Sequence, residues 1–170
     1  MSDDSWDSKG NIQWSEEMKT GIDRVDVQHK TLIGIINRLQ TAVDTKVDLT
    51  GISLIFGQLA SYTKFHFKAE EMVIEQVDKP NLEIHRMAHR TFVDGLRDYE
   101  KKFRSGDHTI VKDLLGYLNV WLVDHILNLD KKSMAKKASS LPSYMKSASE
   151  EKPVSDWEWV FSELEKKGKK

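Results

Sequence analysis

Proline, the strongest helix breaker, occurs only at positions 80, 142 and 153, which leaves residues 1–79 and 81–141 open to continuous helix. Within those stretches apolar residues recur at helical spacing in four segments. Leu32, Ile33, Ile36, Leu39 and Val43 mark the first, and Ile55, Leu59, Tyr62 and Val73 the second. Phe92, Leu96, Tyr99 and Phe103 mark the third, and Val111, Leu114, Leu118, Leu122 and Leu129 the fourth. The breaks between them carry turn chemistry: DTKVDLTG at 44–51, DKPN at 78–81 and SGD at 105–107. Pro80 and Gly106 supply stops, and Thr50, Asn81 and Asp107 are candidate caps. Alternating strand patterns are absent. Connections this short join antiparallel neighbours, so the expected fold is all-α: an up-down-up-down four-helix bundle with an N-terminal arm, residues 1–132.

Residues 133–170 read differently. KKSMAKKASSLPSYMKSASEEKP, starting at 131, is rich in lysine, serine and alanine and is expected to be a linker. It leads to a short C-terminal helix in which Ser155 and Glu158 form a capping box and Trp157, Val160, Phe161 and Leu164 share one face. From 131 onward the chain holds ten lysines against six acidic residues, so this extension is basic and the bundle acidic. The apolar face is expected to pack on the bundle.

Five of the six histidines fall on the apolar stripes. His29 precedes Leu32, His66 follows Tyr62, His85 and His89 precede Phe92, and His125 follows Leu122; His108 sits in a turn and is expected to face solvent. Buried histidine is uncommon and each needs a partner, so five chance burials in one small core are improbable. Glu70 lies one turn after His66 on the same face, whereas Asp130 lies five residues after His125, about 140° round an ideal helix. His29 is near the start of the first helix, His66 and Glu70 late in the second, His85 and His89 at the start of the third, and His125 and Asp130 at the close of the fourth. In an antiparallel bundle those positions share one end. Seven nitrogen and oxygen donors therefore converge in one layer.

One six-coordinate ion cannot use five imidazoles and two carboxylates, but two ions can share both carboxylates as bridges. A three-and-two division of the histidines then leaves one metal with an open coordination position. With no cysteine there is no thiolate ligand, and imidazole with carboxylate suits iron, copper or zinc. Glu71 follows Glu70 but points about 100° away, so it is not expected to reach a metal.

Trp14, Gly21-Ile22-Asp23, Asp26-Val27-Gln28-His29, HFKAEE at 66–71, HRMAH at 85–89 and WLVDHILNLD at 121–130 together resemble bacterial hemerythrins over about residues 12–132. Ser133 departs from that pattern, which commonly has an aromatic residue there. The resemblance implies two non-haem iron ions bridged by Glu70, Asp130 and an oxo or hydroxo group. It implies His85, His89 and His125 as ligands of the coordinatively filled iron, and His29 and His66 as ligands of the iron with the open position. Phe67, Trp121, Leu122 and Ile126 adjoin these residues and are expected to form an apolar wall. The implied function is reversible binding of dioxygen for storage or for delivery to an oxygen-consuming oxidase or redox partner.

Two other functions compete: an oxygen or redox sensor whose extension reports the iron state, and a di-iron enzyme acting on peroxide or nitric oxide. The enzyme is disfavoured because no extra acid, tyrosine or cysteine is evident on the ligand faces. The net charge of −1 and pI near 6.6 argue against a nucleic-acid partner. No apolar run approaches a membrane span, and MSDDSWDSKG lacks the features of a signal peptide, so a cytoplasmic location is expected.

Overall fold

The computed structural model describes residues 7–135 and 137–147. The expected C-terminal helix around Trp157 lies outside them. Four long helices dominate: α1 (Asp23–Asp44), α2 (Leu49–Val77), α3 (Leu82–Arg104) and α4 (Ile110–His125). The last runs on through a π-helical turn, Ile126–Asp130, into the short helix α5 (Lys131–Met134). Each long helix packs on its neighbours in a ring, α1 on α2, α2 on α3, α3 on α4 and α4 on α1. That is the all-α, antiparallel bundle expected from the spacing and the short connections. Among the described residues no helix is long and apolar enough to cross a membrane.

The ends of the helices show the local chemistry. Asp48, not Thr50, caps α2: its side chain accepts from the Gly51 amide at 2.8 Å, and Leu49 to Gly51 are already helical. The cap satisfies an amide that the helix leaves unpaired. Asn81 precedes α3, but its side chain donates to Asp78 at 2.8 Å instead of capping. Asp107 holds the start of α4 by accepting from the Thr109 hydroxyl and amide at 2.6 and 3.2 Å. Gly106, at φ +99°, makes the turn after α3, a conformation that costs a side-chain-bearing residue about 1–2 kcal/mol. Gly95 serves a different purpose: a Cβ there would meet the Tyr117 hydroxyl at 2.9 Å, so it permits the close approach of α3 and α4.

The apolar interior is divided. A large cluster fills most of the bundle and includes Leu32, Ile36, Leu59, Phe92, Leu118 and Ile126. A smaller one closes one end with Ile22, Val25, Ile74, Val77, Leu82, Met134 and Leu141. On every helix the candidate ligands lie between a residue of one cluster and a residue of the other: His29 between Val25 and Leu32, Glu70 between Phe67 and Val73, His85 and His89 between Leu82 and Phe92, and Asp130 between Ile126 and Met134. A polar layer is thus sealed above and below by apolar residues. The described part of the extension completes the seal, since Met134 is wholly buried and Leu141 nearly so. The N-terminal arm is pinned as well, with Asn37 exchanging two 2.9 Å hydrogen bonds with the backbone of Ile12.

Candidate metal centre

All seven side chains singled out in the sequence meet in this layer, and all are buried. His29 and His66 stand together with ring centroids 4.8 Å apart. His85, His89 and His125 form a second group at 5.0 to 6.3 Å from one another. The carboxylates lie between the groups. Asp130 Oδ2 is 3.3 Å from His29 Nε2, while its Oδ1 is 3.6 Å from His85 Nε2 and 3.1 Å from His125 Nε2. Glu70 Oε2 is 3.1 Å from His66 Nε2 and 3.6 Å from His89 Nε2. Each acid therefore touches both histidine groups.

Asp130 owes its place to the π turn. An α-helix would set it well round from His125, but a π turn bonds residue i to i+5, and here the Lys131 amide donates to the Ile126 carbonyl. Residues five apart then point nearly the same way. For the same reason Leu129, expected on the buried stripe, is only half-buried, and Ile126 takes its place in the core.

His89 Nε2 and His125 Nε2 pair at 3.2 Å, but many of the other donors are close without being hydrogen-bonded. Seven buried atoms of the layer lack such a partner: both ring nitrogens of His29, both oxygens of Glu70, both of Asp130, and Nε2 of His85. At about 1–3 kcal/mol for each unsatisfied buried atom, the total is on the order of ten, comparable to the whole stability of a domain. Lone pairs converging on a cation remove that cost, so the residues fit a metal. Three groupings have their donor atoms within 4.8 Å of one another: His29, His66 and Glu70; Glu70, His89 and His125; and Glu70, His85 and Asp130.

Three of the imidazoles are oriented by partners that the sequence reading did not assign. His66 Nδ1–H donates to the Gln28 amide oxygen at 3.0 Å, His85 Nδ1–H to the Asn81 carbonyl at 3.0 Å, and His89 Nδ1–H to Glu71 Oε1 at 2.9 Å. Placing the proton on Nδ1 leaves the Nε2 lone pair turned into the layer. Glu71 thus points at a histidine rather than at the centre. Flat contacts hold two rings further: Phe67 stacks on His89 at 3.8 Å and Trp121 on His125 at 4.3 Å. His108 is exposed at the opposite end of the bundle, beside Phe103.

Without a cation, burial and neighbouring charges act on the layer in opposite senses. Burial works against the charged form of Asp130, yet His125, Glu70 and His29 hold its carboxyl well below the usual range. Burial pushes His66 down, against the pull of Glu70. His85 and His89 are also opposed by burial, but Asp130 and Glu70 respectively raise them above the ordinary value.

The same span is matched by a family model. The Hemerythrin HHE cation binding domain covers residues 20–136. A bacteriohemerythrin of Pseudomonas aeruginosa (strain LESB58) is 31% identical over 120 residues, which is 71% of this chain and 77% of that protein. One from Methylococcus capsulatus (strain Bath) is 30% identical over 68% of this chain and 87% of its own length. A third, from Clostridium acetobutylicum, is 26% identical over 69% of this chain and 95% of its own. With the family model spanning the whole ligand layer, the chain belongs to the hemerythrin family.

Proposed function

We propose that this protein binds dioxygen reversibly at a non-haem di-iron centre held by His29, His66, Glu70, His85, His89, His125 and Asp130, and that it stores or delivers the gas. Membership of the hemerythrin family implies iron. The observation that carries the two-ion reading is the position of the carboxylates, each within 3.6 Å of a nitrogen in both histidine groups. Acids so placed could be shared by two ions, one of which would draw on His29 and His66 and the other on His85, His89 and His125.

Iron held by these seven side chains would supply the reversible electron donation that dioxygen binding needs. The protein's contribution is to keep that exchange clean. Phe67, Leu122 and Ile126 are buried beside the histidines, and Trp121 covers His125, so water has little access. Gln28, Asn81 and Glu71 fix the rings in one tautomer, which removes the need to reorganise them. Carriage is favoured over turnover because both acids in the layer are spent between the histidine groups. The remaining buried acid among the described residues, Asp26, accepts from the Thr20 amide and hydroxyl through Oδ1 at 2.8 Å each.

The test is a visible spectrum of anaerobically reduced, iron-loaded protein before air, after air, and after removing the gas. A band that appears and disappears with one dioxygen per iron pair supports carriage. Sustained consumption of peroxide or nitric oxide far above the autoxidation rate would identify an enzyme instead.

A further inference from the structure

The three oriented histidines differ in what receives their Nδ1 protons. Gln28 offers a neutral amide and Asn81 a neutral backbone carbonyl, but Glu71 offers a carboxylate. Glu71 is also partly exposed, at 26% of its side chain, and there it enters a chain of ions. Its Oε2 accepts from Arg86 Nε at 3.4 Å; Arg86 Nη1 lies 3.9 Å from Glu83 Oε2; and Arg90 Nη2 donates to Glu83 Oε1 at 2.7 Å. The buried layer is thereby joined to the outer face of α3 through one imidazole.

A carboxylate accepting from an imidazole N–H draws the proton toward itself and makes the opposite nitrogen a stronger electron donor. A neutral amide or carbonyl does so far less, because charge-assisted hydrogen bonds are roughly twice as strong. Arg86 works the other way. Its guanidinium takes up part of the negative charge of Glu71 and so reduces what reaches His89.

We infer that Glu71 is a positioning residue that sets the electron-donating strength of His89, and that Arg86 attenuates it, so that the α2–α3 surface tunes the reduction potential of the metal pair. The inference rests on the di-iron reading and adds to it a control point outside the ligand set. Because Arg86 is 43% exposed, the attenuation is screened by salt, and the potential depends on ionic strength. Strengthening donation favours the oxidised irons. Weakening it favours the reduced irons.

Two substitutions in the full-length, iron-loaded protein separate this from simple support of the fold. Glu71→Gln keeps an acceptor for His89 but removes the charge, and it should raise the equilibrium constant for reduction about tenfold, of the order by which such partners change metal affinity. Arg86→Gln leaves Glu71 uncompensated and should lower that constant by a smaller factor, about threefold. The readout is a mediated spectroelectrochemical titration, with iron content measured alongside. Shifts of opposite sign support the inference. Shifts of the same sign, or unmoved potentials in variants that hold two irons, overturn it. Where Glu71→Gln loses iron, Arg86→Gln decides alone: a lowered potential supports the assignment and an unchanged one overturns it. A native chain that takes up no iron would instead overturn the proposed function.

Discussion

Asp130 Oδ2 stands 3.3 Å from His29 Nε2, although one residue closes the fourth helix and the other opens the first. The remaining oxygen of the same carboxylate faces His85 and His125. Asp130→Asn preserves size but sets an N–H donor where an anionic oxygen is required. Iron content should fall from two per chain to one or none, with helicity by circular dichroism retained. His108→Ala, remote from the layer, should keep both irons. Two tightly held irons in Asp130→Asn would contradict a bridging role.

The iron-free protein should respond to pH in a defined direction. Burial lowers His85 and His89, but Asp130 and Glu70 outweigh it and leave both above their ordinary value of 6.5. A base raised in the folded state contributes stability that is complete below its unfolded value and is lost as pH rises through the folded one. Asp130 is held low and stays ionised throughout, so it adds no slope there. His66 is pushed down by burial, and its opposing slope lies below 6.5. Melting of iron-free protein should therefore fall in temperature as pH rises above about 6.5. Iron needs the same nitrogens deprotonated, so its uptake should release protons and weaken on acidification. A melting temperature that climbs over that interval would rule out the assigned charge balance.

Leu141 offers a test of the end cluster. It is 5% exposed and packs with Ile22, Val77 and Met134. Leu141→Ala should cost about 2–4 kcal/mol in denaturant unfolding. Iron stoichiometry should be unchanged, because the residue bears no donor. A cost below about 0.5 kcal/mol would mean that this segment lies loosely on the bundle.

Asp48→Ala supplies a control at the opposite end. Loss of its bond to the Gly51 amide should cost about 1 kcal/mol and leave iron content and spectrum intact. An altered spectrum would show that the two ends of the bundle are coupled.

The five layer histidines and Glu70 were legible because a helix repeats its faces at fixed spacing, and donors that fall on an apolar stripe must converge. Asp130 was legible from the end of the bundle it occupies and not from its face, since its direction depends on a π turn that breaks the repeat. Gln28 and Glu71 left no such signal. Each is adjacent to a candidate ligand and therefore about 100° off its face, and each acts across the gap between two helices. Asn81 acts through a backbone carbonyl, which any residue would carry. Asp48 displaced Thr50 as the cap because the helix starts before the glycine rather than after it.

The π turn carries one residue more than a regular helical repeat would, and everything downstream inherits that phase. Lys131 to Met134 are rotated by about 100° relative to an uninterrupted α-helix. In this setting Met134 turns inward and Ser133 reaches Asp78. Deleting Asn128 would restore the regular repeat, swing Asp130 away from His29 and turn Met134 outward in the same stroke. It should abolish iron binding and unseat the segment around Leu141 together, so that proteolysis of residues 133–147 accelerates when the metal is lost. The one turn thus sets the phase of both the ligand layer and the segment that seals it.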